Sequence, residues 1–319
     1  MKEEDQQQAP ENWYVLVCGL PLAADSFALG CSLEIRRLVT PLSVFDLASA
    51  GAVGFREWAV LEPLAASATA EIISPTCAAT IPGYDALNKC WLVSALLLLQ
   101  GFSRHLCPAV SAYSWNFIAG HQDQVSDTFR QQLQEEGADR AVYNPRGSLP
   151  PFRGGLLDYH LRLYTPRAAR TSALASGDAL WVSEHLGKFN SMAAEDERFR
   201  FALESAVDWR YAKDARAGIA RLWAGIESLF GVSSELVHRL SLYAATVLVP
   251  RGEGRIGEFK RLKKLYGMRS KAVHGEPLDE AELIDALQQS YEILQSLLLD
   301  AISRGAVRGE GDYLTELLG

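Results

Sequence analysis

Cysteine is scarce in this chain of 319 residues, which has five, all in its first third. Their number is odd and no two are spaced as Cys-x-x-Cys, so neither a disulfide framework nor a zinc site is indicated. We expect reduced, mostly buried thiols, as is usual in a cytoplasmic protein, and no bound metal. The five are Cys18, Cys31, Cys77, Cys90 and Cys107.

Long apolar runs are also missing. The most apolar stretch, 90–99, is shorter than the roughly 20 residues that a membrane-spanning helix needs, and it predicts a buried core helix instead. The N-terminal stretch 1–12 is polar and acidic, unlike a signal peptide, and is expected to be a disordered leader. Nothing in the sequence directs the chain to a membrane or to export, so we predict a cytoplasmic location and no membrane partner.

Several common catalytic signatures are absent as well. The sequence has no P-loop, no Gly-x-Ser-x-Gly elbow and no His-Glu-x-x-His, and its other histidines lack metal-ligand spacing. The pattern Gly252-x-Gly254-x-x-Gly257 matches the dinucleotide-binding fingerprint, but that motif needs a surrounding βαβ unit. Helical patterns follow it here, so we predict a loop between two helices and expect no cofactor.

The length suits two domains, and the residue patterns differ between the two halves. We predict an α+β protein with a mixed α/β domain of unknown role at 13–168 and an all-α bundle at 169–319. The net charge of −8 argues against a surface that binds polyanions everywhere, so any such site must be local.

The first half alternates strand-like and helical patterns. Strands are predicted at 13–20, 30–38, 58–61, 68–73, 109–118 and 156–164, and helices at 41–50 and 85–102. The second half shows helical periodicity punctuated by capping and breaking residues. Helices are predicted there at 172–189, 195–209, 214–230, 233–249, 256–273 and 279–304.

One helix of the second half is strongly basic. Between Arg255 and Lys271 there are seven basic residues and a single acid, Glu258. At about 100° per residue, the apolar side chains form one stripe and most basic ones face away from it. The predicted stripe comprises Ile256, Phe259, Leu262, Tyr266 and Val273, and the predicted opposite face comprises Lys260, Arg261, Lys264 and Lys271.

Arg269 and His274 are expected on the two borders of that stripe, and not beside each other. An arginine offers a planar fork for a phosphate, and a histidine can exchange a proton near neutral pH. An arginine and a histidine are enough for metal-free cleavage of RNA, because the 2′-hydroxyl of the RNA is the internal nucleophile. The alternative is a helix cap plus a salt bridge.

Glu227 stands in an apolar setting, Leu222-Trp223-Ala224-Gly225-Ile226-Glu227-Ser228-Leu229-Phe230. A carboxylate close to a buried stripe needs a partner. The choice is between a surface edge position and a partner for a buried arginine.

These two segments resemble a known family. Leu265-Tyr266 followed by Arg269-Ser270-Lys271-Ala272-Val273-His274-Gly275 resembles the signature of the HEPN superfamily, and more narrowly its ApeA-like branch. The segment around Glu227 resembles the glutamate helix of the same branch. The resemblance covers about 172–304.

The resemblance implies a helical bundle that forms homodimers and cleaves RNA without a metal, often in bacterial defence or toxin–antitoxin systems. It implies that Arg269 binds the scissile phosphate, that His274 is the acid–base group, and that Glu227 orients Arg269. Ser270 and Tyr266 would have supporting positions. RNA is the expected partner, held by Lys260, Lys263, Lys264 and Lys271, and a regulatory partner protein is left open.

Ser270 departs from the Asn, Asp or His that many HEPN nucleases carry after the arginine. The alternative reading is a non-catalytic module that binds RNA, a nucleotide or a partner protein.

Overall fold

The computed structural model describes residues 12–43, 65–75, 86–107, 110–111, 114–119, 164–231 and 236–318. Several predictions lie outside these residues: the leader up to residue 11, the strand at 58–61, most of the helix at 41–50, and all but Tyr164 of the strand at 156–164. The described residues form a sheet with two helices and a set of longer helices, so the predicted α+β class is confirmed.

The chain divides into two compact units. The first comprises 1–159 and 170–187, and the second comprises 160–169 and 188–319. Between residues 159 and 188 the chain passes from one unit to the other more than once. The boundary predicted at 168/169 lies in this segment.

The first unit contains an antiparallel five-stranded sheet with the order β2-β3-β4-β1-β5. Its strands are β1 (Asn12–Cys18), β2 (Ser26–Gly30), β3 (Leu33–Arg37), β4 (Ala68–Pro75) and β5 (Val110–Ser111). Two helices accompany it, α1 (Ala86–Leu99) and α2 (Trp115–Ala119).

The strand predicted at 30–38 is in fact a hairpin corner followed by a strand. Gly30 pairs with Leu33, and the two residues between them have positive φ, 49° at Cys31 and 64° at Ser32. Positive φ at both central residues is the geometry of a two-residue hairpin turn. Neither residue is a usual choice for that turn, which explains why the sequence pattern did not reveal it.

The helix predicted at 85–102 is confirmed as α1, and every residue of Cys90–Leu99 is buried. The strand predicted at 109–118 is wrong from Trp115 onward, because Trp115–Ala119 is helical; Val110 and Ser111 do form a short strand. The carboxylate of Glu71, fully buried on β4, accepts hydrogen bonds from the backbone N–H of Trp115 at 2.7 Å and from the Ser114 hydroxyl at 2.9 Å. This long-range cap starts α2, and local sequence cannot show it.

Helix α3 (Ser176–Glu195) begins in the first unit, and the remaining helices form the second. They are α4 (Glu197–Asp208), a 3₁₀ turn at Trp209–Tyr211, α5 (Ala215–Phe230), α6 (Leu236–Leu248), α7 (Gly254–Val273), α8 (Glu280–Arg304) and α9 (Glu310–Leu318). Asp214 and Asp279 are the side-chain N-caps of α5 and α8, and Gly231 and Gly305 end these helices with positive φ.

The predicted loop between helices is confirmed only at Gly252, because Gly254 and Gly257 lie in the first turns of α7. The segment before the pattern is helix α6 and not a strand. Helix α9 was not predicted from the sequence. It buries one large side chain, Tyr313, which stacks on Tyr243 with ring centroids 4.6 Å apart. None of the described helices combines the length and hydropathy that crossing a membrane requires.

Helix α5 lies at the centre of the bundle and packs against α4, α7 and α8. Its contact with α4 depends on a glycine: a Cβ on Gly225 would lie 2.6 Å from the Cβ of Ser205. Backbones this close leave no room for a methyl group, so the small residue sets the distance between these helices.

Gly225→Ala is therefore expected to destabilise the protein by about 2 kcal/mol, because overpacking outweighs the gain in helix propensity. Gly267→Ala in α7 is the matched control. A Cβ there meets no atom within 4 Å, so this change should stabilise the protein by about 0.5–1 kcal/mol. Urea unfolding of both variants measures the difference, and equal effects of the two changes would contradict the packing account.

Candidate functional site

The buried face of α7 differs from the predicted stripe. Leu262, Leu265 and Tyr266 are buried, whereas Ile256 is 62% exposed and Val273 48% exposed. The prediction was wrong at both ends because Ile256 and Val273 lie in the terminal turns of the helix. The buried face is consequently rotated toward Leu265.

This rotation moves Arg269 from the border of the face to its middle, within about 20° of Leu262 on the helix wheel. Its side chain is 25% exposed and forms an ion pair with Glu227 of α5, whose side chain is 24% exposed. The Nη2 atom of Arg269 lies 3.2 Å from Oε1 and 3.5 Å from Oε2 of Glu227. Of the two alternatives for Glu227, the second therefore applies: its carboxylate is the partner of a partly buried arginine.

Tyr266 lies beneath the same arginine. The Arg269 guanidinium carbon is 5.4 Å from the centroid of the Tyr266 ring, and that ring meets Trp223 edge to face at 5.2 Å. Burial and the Glu227 carboxylate raise the pKa of Tyr266, although Arg269 acts in the opposite direction. The phenol therefore stays neutral near pH 7 and supplies an aromatic surface on which the guanidinium rests.

The ion pair leaves hydrogen-bonding capacity unused. Within the described part of the chain, Nε of Arg269 and Oε1 of Glu227 are buried atoms without a hydrogen-bond partner. A bidentate arrangement would have used the arginine fork fully, but this pair meets through Nη2 alone. Although Oε1 lies 3.2 Å from Nη2, the two atoms do not align as a hydrogen bond, so a buried donor and a buried acceptor stay unsatisfied where the guanidinium meets the carboxylate.

His274 occupies the C-cap of α7 and is exposed. Gly275 follows with a φ of +74°, and its N–H donates to the carbonyl of Ala272 while that of Glu276 donates to Lys271 at 3.0 Å. These two bonds make a Schellman motif, which ends the helix. His274 is about 140° around the helix from Arg269, so one chain does not bring the two side chains together.

The remaining predicted residues divide between exposed and engaged positions. Ser270 is half-buried, and its carbonyl accepts from the His274 N–H at 3.0 Å. Arg261 was predicted to face solvent, and this prediction is wrong. Its guanidinium binds Glu258 at 2.6 Å and Gln289 at 2.8 Å. The four lysines are exposed; they are Lys260, Lys263, Lys264 and Lys271.

Arg216 of α5 is a residue that the sequence did not single out. Its guanidinium donates to the carbonyls of Ala272 at 3.2 Å and Glu276 at 2.7 Å, on either side of His274. Because the last carbonyls of a helix lack partners within it, the arginine satisfies them and holds the His274–Gly275 turn. The basic N-terminal turn of α5 was the only available signal, and it does not specify a distant acceptor.

Comparisons with models of protein families, with curated proteins and with solved structures found no match for this chain. The resemblance to the HEPN superfamily therefore rests on the quoted residues alone.

The Arg269–Glu227 pair is expected to couple energetically. Arg269→Ala or Glu227→Ala should each cost about 2 kcal/mol of unfolding free energy, because each leaves a partly buried charge without its partner. The double variant should cost about 1 kcal/mol less than the sum of the single changes. A urea-unfolding cycle measures this coupling.

The control cycle uses the surface pair Arg167–Asp285, whose side chains are 56% and 52% exposed. Its coupling should be clearly smaller, since water screens it. Additive effects at 269 and 227 would show that the pair does not stabilise the bundle.

Arg216→Ala should loosen the end of α7. We expect faster amide hydrogen exchange at Gly275 and Glu276, whose N–H groups donate within the turn, and a loss of about 1–2 kcal/mol of stability. The amide of Gly305, which caps α8, is the internal reference. Unchanged exchange at Gly275 and Glu276 would show that Arg216 does not hold this turn.

Proposed function

We propose that this protein is a metal-independent endoribonuclease of the HEPN type that works as a homodimer in bacterial defence or in a toxin-like system. One observation carries the proposal: a guanidinium held by a carboxylate, partly exposed, on the same basic helix that presents an exposed histidine and four exposed lysines. The resemblance of the two motifs to the HEPN signature supports the same reading.

The proposed reaction is attack of the RNA 2′-hydroxyl on the adjacent phosphate. A histidine acting as base removes the 2′-hydroxyl proton, the O2′–P bond forms and the P–O5′ bond breaks. The same histidine, now protonated, returns this proton to the leaving 5′-oxygen, and the product carries a 2′,3′-cyclic phosphate. Arg269 stabilises the charge that develops on the phosphate oxygens, while Glu227 and Tyr266 hold its guanidinium in place.

A second copy of the chain completes the proposed site. In one chain Arg269 and His274 diverge by about 140° around α7, so a single protomer does not present both groups to one phosphate. We propose that a two-fold axis brings Arg269 of one protomer toward His274 of the other. Helix α7 would then lie at the dimer interface, with its exposed Val273 in the contact.

The lysines have a separate role in this proposal. Lys260, Lys263, Lys264 and Lys271 contact RNA phosphates through charge alone, so they contribute affinity and not base selection. Binding should weaken with salt, with a slope of about −0.7 in log K against log salt for each phosphate that is neutralised. The net charge of −8 restricts such binding to a local basic surface, and we assign that surface to this helix.

The test is cleavage of single-stranded RNA in EDTA. Arg269→Ala and His274→Ala should each reduce the rate by about 100-fold or more, in line with the loss of an electrostatic stabiliser or an acid–base group. His238→Ala is the matched control, because His238 is an exposed histidine on α6 that the proposed chemistry does not use. If both site variants cleave as fast as the wild type, the site is wrongly assigned.

The second candidate function is a non-catalytic module that binds RNA, a nucleotide or a partner protein. It is favoured by the engagement of Arg269 with Glu227, which leaves only 25% of the arginine side chain exposed. RNA binding with a steep salt dependence and without any cleavage would support this candidate against the nuclease.

A further inference from the structure

The first unit contains a recess that is separate from the site on α7. Three segments line it: the turn after β1, the segment after α1, and the segment that leads into α3. Its volume is about 150 Å³, and its lining includes Leu20, Phe102, Arg104, His105 and Arg170 together with the hydroxyl residues Thr171 and Ser172. No part of the proposed nuclease site contributes to it.

His105 forms a fixed part of the wall. It is buried, and its Nδ1 lies 2.5 Å from the carbonyl oxygen of Phe102 while its Nε2 lies 2.7 Å from the Ser94 hydroxyl. A carbonyl can only accept, so Nδ1 carries a proton and donates it to Phe102, while Nε2 and the Ser94 hydroxyl share the second hydrogen bond. With both nitrogens engaged in this way, the ring is held in place and gives shape to the recess.

Arg170 is held in place before any ligand arrives. Its guanidinium lies over the Phe102 ring, 4.2 Å from the centroid, and binds Asp178 through two nitrogens at 2.8 and 3.3 Å. Its backbone N–H donates to Gly101 at 2.8 Å. Asp178 balances the charge of Arg170 but does not line the recess. A rigid guanidinium loses little conformational entropy when an anion approaches it.

Arg104 supplies the uncompensated charge. It is exposed at the recess, and no carboxylate among the described residues forms an ion pair with it. None of the lining residues is acidic, although the whole chain carries a net charge of −8. The recess is thus locally positive on an acidic protein, with the hydroxyls of Thr171 and Ser172 beside the two guanidinium groups.

We propose that this recess binds the phosphate group of a small molecule. A phosphate presents several acceptor oxygens around one centre, which suits donors that approach from different sides: Arg104, Arg170 and the hydroxyls of Thr171 and Ser172. The volume accommodates one phosphate or pyrophosphate group and not an extended polymer. The proposal stands on the first unit alone and does not depend on nuclease activity.

The experiment is isothermal titration calorimetry of the full-length protein with pyrophosphate and with inorganic phosphate. The wild type should bind pyrophosphate with a saturable heat, and Arg104→Gln should weaken binding by about tenfold or more, as loss of a charge-assisted contact predicts. Thr171→Glu, which places a carboxylate at the mouth, should abolish binding. Both changed residues are exposed, so the fold should tolerate them.

The control is Arg251→Gln, which removes one exposed arginine from the second unit and should leave the affinity unchanged. Three outcomes would overturn the proposal. They are no saturable heat with either anion in the wild type, an equal loss of affinity in Arg251→Gln and Arg104→Gln, and tighter binding of citrate than of pyrophosphate, which would indicate a carboxylate site.

Discussion

The ion pair between Arg269 and Glu227 is the interaction on which the candidate site depends. It links α7 to the central helix α5, and both side chains are about a quarter exposed, 25% and 24%. A guanidinium in this position is costly to desolvate without a partner, yet it remains close enough to solvent to meet a ligand. Tyr266 and Trp223 form the surface beneath it, and Arg216 ties the end of the same helix to α5. Helix α5 therefore positions both the arginine and the turn that carries His274.

Much of the helical half could be predicted from local sequence, because caps and breakers act over a few residues. The helices predicted at 214–230 and 279–304 begin directly after the capping side chains of Asp214 and Asp279 and end at Gly231 and Gly305. The sheet was harder to predict, because two of its features depend on contacts or turns with weak local signals. The start of α2 relies on Glu71, which is distant in sequence, and the Cys31–Ser32 turn uses residues that are uncommon there. Helix α9 escaped prediction because Tyr313 is the one large buried side chain among those described in it.

The residues of the site were easier to name than to place. The motif and its apolar setting indicated Arg269, His274 and Glu227, but the helix wheel put Arg269 at a border because it counted Ile256 and Val273 as buried. Their exposure, 62% and 48%, goes with their places in the terminal turns of α7, and a helix wheel does not distinguish terminal from central turns. The role of Arg216 could not be predicted, since the carbonyls that accept from it are distant in sequence. Ala272, for example, lies 56 residues away.

The most direct test of a site shared between two protomers is complementation between inactive chains. Arg269→Ala and His274→Ala chains are mixed, unfolded and refolded together, and RNA cleavage in EDTA is compared with that of each variant refolded alone. If Arg269 of one protomer acts with His274 of the other, mixed dimers regain one intact site and the mixture cleaves RNA. A mixture as inactive as its components, in the presence of demonstrated mixed dimers, would contradict the shared site.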